Sequence, residues 1–130
     1  MTNNLKRLDS LYQELGPGKI VSLVEKFYFF MDNKNECKGI RGMHGVSLES
    51  AREKLTAFLT QRFGGPWLYN NKYGPPMMRG RHMPFKIAVA QRNQWLYAMD
   101  LALKEMEFDQ ELEDLLFVFF TDFSEKIRNH

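Results

Sequence analysis

Cysteine is nearly missing from this chain: Cys37 stands alone in 130 residues. An internal disulfide and a cysteine-built metal cluster are therefore excluded, and a lone thiol fits a reducing compartment. Long apolar runs are missing too. Nothing approaches the ~20 consecutive apolar residues of a membrane-spanning helix, and Met1-Thr2-Asn3-Asn4-Leu5-Lys6-Arg7 lacks the apolar region of a secretion signal. The expected compartment is the cytoplasm. Charge of one sign is also scarce, since 18 Lys and Arg against 16 Asp and Glu leave a formal charge of +2. Such a balance gives no electrostatic case for nucleic acid or an anionic membrane as partner. No stretch alternates as a strand, and neither a repeat nor a second domain is visible.

What is present is aromatic and thioether surface. Aromatics make up 14% of the chain, with eleven Phe and eight Met. That exceeds what a small helical bundle needs to fill itself, and it points to a wide apolar cavity; a ligand-free Phe-rich core has the same composition. Asp9 to Leu15 reads as a short helix broken by Gly16-Pro17-Gly18. A second helix runs to about Asp32, with Ile20, Leu23, Val24, Phe27, Tyr28 and Met31 on one stripe. Asn33 to Gly45 is a turn-rich connection with one helical turn. Ser47 reads as the N-cap of a third helix carrying Leu48, Ala51, Leu55, Phe58, Leu59 and Phe63. Gly64-Gly65-Pro66 ends it, and the stretch to Pro76 reads as irregular. A short helix with His82 follows, then a long one from about Val89 to Glu107 presenting Trp95, Met99, Ala102, Leu103 and Met106. Asp109 caps a last helix with Leu112, Leu115, Leu116, Phe119 and Phe123 on one face. The reading is all-α.

Two segments carry the chemistry: Arg79-Gly80-Arg81-His82-Met83-Pro84-Phe85 and Arg92-Asn93-Gln94-Trp95-Leu96. Cations favour the last turn of a helix, and Pro84 cannot continue one. An imidazole on a short, abruptly ended helix suits an axial ligand to a metal cofactor, and haem iron is the metal inferred. The helical pattern shows only that His82 can face inward; it does not show iron, and a buried histidine satisfied by backbone fits it equally.

Read together, Gly64-Gly65-Pro66, Leu68-Tyr69, Tyr73-Gly74, Arg79, Arg81-His82, Pro84-Phe85, Ile87, Arg92 and Trp95-Leu96 resemble the signature of the group II truncated haemoglobins. Phe27-Tyr28 and the run from Leu48 to Leu59 fit the same pattern. The likeness covers roughly Leu11 to Phe123, so residues 1–10 are read as an N-terminal extension and 11–130 as a single truncated globin domain. It implies a truncated globin fold, a two-over-two helical sandwich around one haem. As no Cys-x-x-Cys-His occurs, that group would be haem b (iron protoporphyrin IX), held non-covalently.

The resemblance also implies roles. His82 is the proximal iron ligand, and Tyr28, Trp95 and His44 surround the gas on the distal side. Tyr28 offers an O–H and Trp95 an N–H that can only donate, although buried aromatic residues with polar tips find partners without any ligand. His44 can hydrogen-bond Tyr28 or the gas, or stand in solvent. Ala51 leaves a roomy entrance without a donor, and Leu55 packs on ligand and porphyrin; both also suit ordinary helix core. Arg81 and Arg79 pair with the haem propionates or remain solvated. Met78, Phe85 and Ile87 line the haem. The chain departs from the family at Pro75-Pro76, where His-Pro is frequent, at Gly45-Val46, and at Gly16-Pro17-Gly18.

The function implied is binding of dioxygen and other diatomic ligands, nitric oxide and carbon monoxide among them. Each 1.4 kcal/mol of distal hydrogen bonding slows release about tenfold, which does not suit bulk oxygen transport. The alternative is an enzyme detoxifying nitric oxide, peroxynitrite or peroxide; with no flavin or nicotinamide domain it would need an external reductase. A haem-free interaction module is the third reading. The expected state is a monomer or weak homodimer.

Overall fold

The computed structural model describes residues 2–130, with backbone alone for residues 2–5; Met1, part of the expected extension, lies outside the described residues. The extension is itself largely helical: α1 (Thr2–Asp9) precedes α2 (Leu11–Leu15) and α3 (Pro17–Asn33). A single 3-10 turn (Asn35–Cys37) and α4 (Lys38–Gly42) fill the turn-rich connection. Then come α5 (Glu49–Arg62), α6 (Leu68–Tyr73), α7 (Met78–His82), α8 (Val89–Glu105) and α9 (Gln110–Ile127). Among the described residues there is no strand, and no helix is long and apolar enough to cross a membrane.

Two helix pairs make the sandwich: α3 packs on α5, α8 packs on α9, and α3 and α8 meet between them. The stripe expected on α3 is the one buried, from Ile20 to Met31. Phe27 is fully buried, which stabilises by about 1.5–3 kcal/mol relative to exposure. On α9 the buried face runs through Leu112, Leu116, Phe120, Ser124 and Ile127. Phe120 is fully buried, whereas Leu115, Phe119 and Phe123 lie half-buried beside it.

Three boundaries differ from the expectation. Leu48, not Ser47, precedes the first turn of α5, and Ser47 Oγ accepts from the Glu49 N–H at 3.1 Å, one turn-position early. α6 lies inside the stretch read as irregular. α8 ends at Glu105, and Glu107 beyond it adopts φ 56°, which a helix cannot contain.

Gly64 and Gly65 do more than end α5. Gly64 holds φ +89°, and a Cβ there would fall 1.8 Å from the Asp9 carbonyl oxygen. A Cβ on Gly65 would fall 2.6 Å from the Tyr12 ring. Only glycine lets the end of α5 approach α1 and α2 this closely; the Tyr12 N–H then donates to the Phe63 carbonyl at 2.9 Å.

Candidate functional site

The apolar stripe expected on α5 is only partly buried. Leu59 and Phe63 are sealed in the core, but Ala51, Leu55 and Phe58 are half-exposed. Their exposed side faces a cavity of about 540 Å³, within the size range of cofactor sites. α3, α4, α5, α7, α8 and α9 all contribute to its wall.

His82 reaches that wall from the last position of α7. Its Nδ1–H donates to the Met78 carbonyl, one turn back, at 2.6 Å. The bond fixes the ring and the tautomer, leaving the Nε2 lone pair free to bind a metal. Among the described residues there is no group of three or more His, Cys, Asp and Glu able to hold a bare ion. A single imidazole beside a large apolar cavity instead fits a metal already carried in a flat macrocycle.

Tyr28 on α3 and Trp95 on α8 line the same cavity, 6% and 9% exposed. Trp95 is held edge-on by Phe27, with ring centroids 4.9 Å apart, and flanked by Phe120 and Phe123 at 5.8 Å each. Neither the Tyr28 hydroxyl nor the Trp95 indole N–H makes a hydrogen bond to another described residue, and neither is a sealed-in orphan. Burial pushes the Tyr28 phenol far above its ordinary value, with nearby Arg52 opposing, so it stays a protonated donor.

His44 also lines the cavity, 6.0 Å from the Tyr28 ring by centroids. Its Nδ1–H donates to the Ile40 carbonyl at 2.9 Å. Burial lowers its pKa below the ordinary 6.5, partly countered by that backbone bond. The ring is neutral at pH 7 and presents a lone pair, not a proton. Ile40 is tied in turn: its N–H donates to Gln94 Oε1 at 2.7 Å. Gln94 crowds Gly39, where a Cβ would lie 2.8 Å from the same oxygen.

Ala51, Leu55, Met78, Phe85 and Ile87 line the cavity, and so does Arg81. Arg79 does not. Its Nη1 donates outward to the carbonyls of Lys126 and Arg128, at 3.1 and 3.0 Å. Arg81 lies over the Tyr69 ring, with Nε donating to the Pro76 carbonyl and Nη2 to those of Tyr73 and Pro75, while Nη1 makes no hydrogen bond to another described residue. Two cations to which sequence reading assigned no role in the site stand at the wall as well. Lys54 follows Ala51 by three residues, a spacing that shares a helix face, and it has no carboxylate partner among the described residues. Arg92 pairs with Glu125. Tyr69 belongs to α6, a helix hidden by the neighbouring Gly74-Pro75-Pro76; Phe123, Ser124 and Ile127 complete the wall from α9.

Residues 10–129 match the bacterial-like globin family. The chain is 33% identical over 106 residues to the group 2 truncated hemoglobin YjbI of Bacillus subtilis (strain 168), covering 82% of this chain and 78% of that protein. It superposes with a TM-score of 0.88 on a cold-adapted truncated hemoglobin from the Antarctic marine bacterium Pseudoalteromonas haloplanktis TAC125. Identity there is 32%, over 92% of this chain and 97% of that one. A truncated oxygen-avid haemoglobin from Bacillus subtilis gives a TM-score of 0.81 at 30% identity, with 91% and 98% covered.

Proposed function

The chain belongs to the bacterial-like globin family, among its group II truncated haemoglobins, and from this premise we propose that it binds haem b non-covalently and retains dioxygen with slow release. One observation carries the reading: two polar tips without protein partners, the Tyr28 hydroxyl and the Trp95 indole N–H, meet at a cavity where His82 keeps a free Nε2. The oxygen-avid character of the structural relative from Bacillus subtilis agrees with it.

When bound, haem supplies an iron that takes up a diatomic gas. The chain supplies the rest. His82 holds the metal through Nε2, its ring oriented by Met78. Phe85, Ile87, Met78 and Leu55 exclude water from the macrocycle faces. Lys54, at the cavity rim, and Arg81 beside His82 are the cations that meet the propionates; Arg79, facing the end of α9, has no part in this.

On the distal side the donors are not equivalent. His44 is neutral with its single N–H engaged by Ile40, so it accepts, and the Tyr28 O–H is the proton it can take. Trp95 accepts nothing and donates only, so its N–H goes to the gas. Donors preset where negative charge gathers stabilise that state.

The test is stopped-flow displacement of dioxygen by carbon monoxide. A hydrogen bond to a charge-bearing acceptor is worth about 1.5–3 kcal/mol, so Trp95→Phe is expected to release oxygen about 10- to 100-fold faster than the parent. Equal rates in parent and variant would remove the indole from the mechanism and leave it as packing.

A further inference from the structure

α7 presents His82 to the cavity yet buries none of its five side chains. A helix of one turn has no stability of its own, and with only Met78 and His82 half-buried, packing against α9 gives it little hold. Polar bonds fasten it. Arg81 fastens the entry, donating from Nε to the Pro76 carbonyl at 2.6 Å and from Nη2 to those of Tyr73 and Pro75 at 2.7 and 2.9 Å. The exit is fastened from 47 residues further along the chain.

There, just past the end of α9, the Asn129 side chain engages every polar atom it has. Nδ2 donates to the His82 carbonyl at 3.2 Å and to the Phe85 carbonyl at 2.8 Å, while Oδ1 accepts from the Ile87 N–H at 2.9 Å and from His130 Nδ1–H at 2.6 Å. Its own N–H donates to the Ile87 carbonyl at 2.8 Å. Both backbone groups of Ile87, a cavity-lining residue, are thus paired with one asparagine. Pro84 has no N–H to offer; the His82 carbonyl accepts from the Phe85 N–H at 3.0 Å and from the Asn129 side chain as a second donor, so the carbonyl of the very residue whose ring faces the cavity is held from both sides.

We propose that Asn129 is a positioning residue for His82, setting the height and tilt of the imidazole through its main chain without touching cofactor or gas. The inference rests on the haem reading above. Partners that orient a metal ligand change metal affinity by about 10- to 100-fold when removed, so the effect is readable.

Two variants separate positioning from mere attachment of the segment. Asn129→Asp keeps the acceptor for Ile87 but replaces both donors by a carboxylate oxygen facing two carbonyls; Asn129→Leu removes these three bonds together with the one from His130 Nδ1. The readouts are the iron–histidine stretching band of the ferrous, gas-free protein and the rate of haemin transfer to excess apomyoglobin, with unfolding midpoints recorded alongside. Both variants are expected to shift or broaden the band and to speed haemin loss about tenfold or more. Asn129→Asp matching the parent in band and rate would overturn the proposal, leaving Asn129 as an anchor only. If the parent takes up no haem, the haem reading fails separately, and amide exchange then decides. The N–H groups of Met83 and Phe85 donate to the Gly80 and His82 carbonyls, bonds that Asn129 does not itself make, although it shares the His82 carbonyl as acceptor. Faster exchange there in both variants sustains the positioning role; unchanged exchange overturns it.

Discussion

The chemistry of the distal cavity turns on which atoms carry protons, and His44 is the residue whose state can change. Burial holds its pKa below 6.5, so at neutral pH the ring is predominantly neutral and accepts. Further acid protonates Nε2 and turns an acceptor into a donor beside the gas. Oxygen release is therefore expected to slow as pH falls, with a midpoint below 6.5, and His44→Leu is expected to lack this acid limb. A change centred above 6.5, or one surviving in His44→Leu, would assign the titration elsewhere. The residue types at this site were readable from Arg81-His82-x-Pro84-Phe85 and Arg92-x-x-Trp95. Their proton assignments were not, because they depend on which carbonyl each ring meets, and Met78 and Ile40 reveal nothing of that by their identity.

α4 and α8 meet through one amide that sequence reading passed over. Gln94 adjoins Trp95 and so looked like part of the motif, but its side chain turns to the Ile40 N–H and not to the cavity. Gln94→Leu leaves that donor unpaired, which costs about 1–3 kcal/mol. A lower denaturant midpoint with loosened His44 exchange is expected; an unchanged midpoint would show the bond to be replaceable. The long helices were legible because α3 and α9 bury regular stripes, such as Ile20, Leu23, Val24 and Phe27. α6 was not: Gly74-Pro75-Pro76 dominates the local signal, and the helix is held by tertiary contacts, with Tyr69 against Phe58 at the cavity wall and Asn70 bonded twice to Gln61 of α5 at 2.9 Å each. Arg79 shows the converse failure. Nearness to His82 suggested a propionate partner, but the carbonyls of Lys126 and Arg128 at the end of α9, which no reading of α7 alone reveals, take the Arg79 guanidinium.

Across the whole molecule, α8 and α9, which both line the cavity, are tied by an ion pair between Arg92 and Glu125. Glu125 on α9 sits between Arg128, which bonds it at 2.6 and 2.9 Å, and Arg92 of α8. The two guanidinium groups, Arg128 foremost, hold its carboxyl down to about 2 from the ordinary 4.5. A carboxylate with a depressed folded pKa stabilises fully above its ordinary value and loses that contribution as pH falls through the folded one. The stability difference between the parent and Glu125→Gln is expected to be constant above pH 4.5 and to vanish as pH approaches about 2; because Glu125 is exposed, it will be modest. A difference independent of pH across that window would mean the carboxylate charge is not what matters. The claim on which the remainder depends is that the His82 imidazole grips a haem inside this cavity. Titrating the ligand-free protein with haemin and following the Soret band tests it. The expected result is saturation at about one equivalent per chain, abolished in His82→Gly and restored by free imidazole. A protein that stays colourless, or a His82→Gly variant that binds haemin as the parent does, would contradict it.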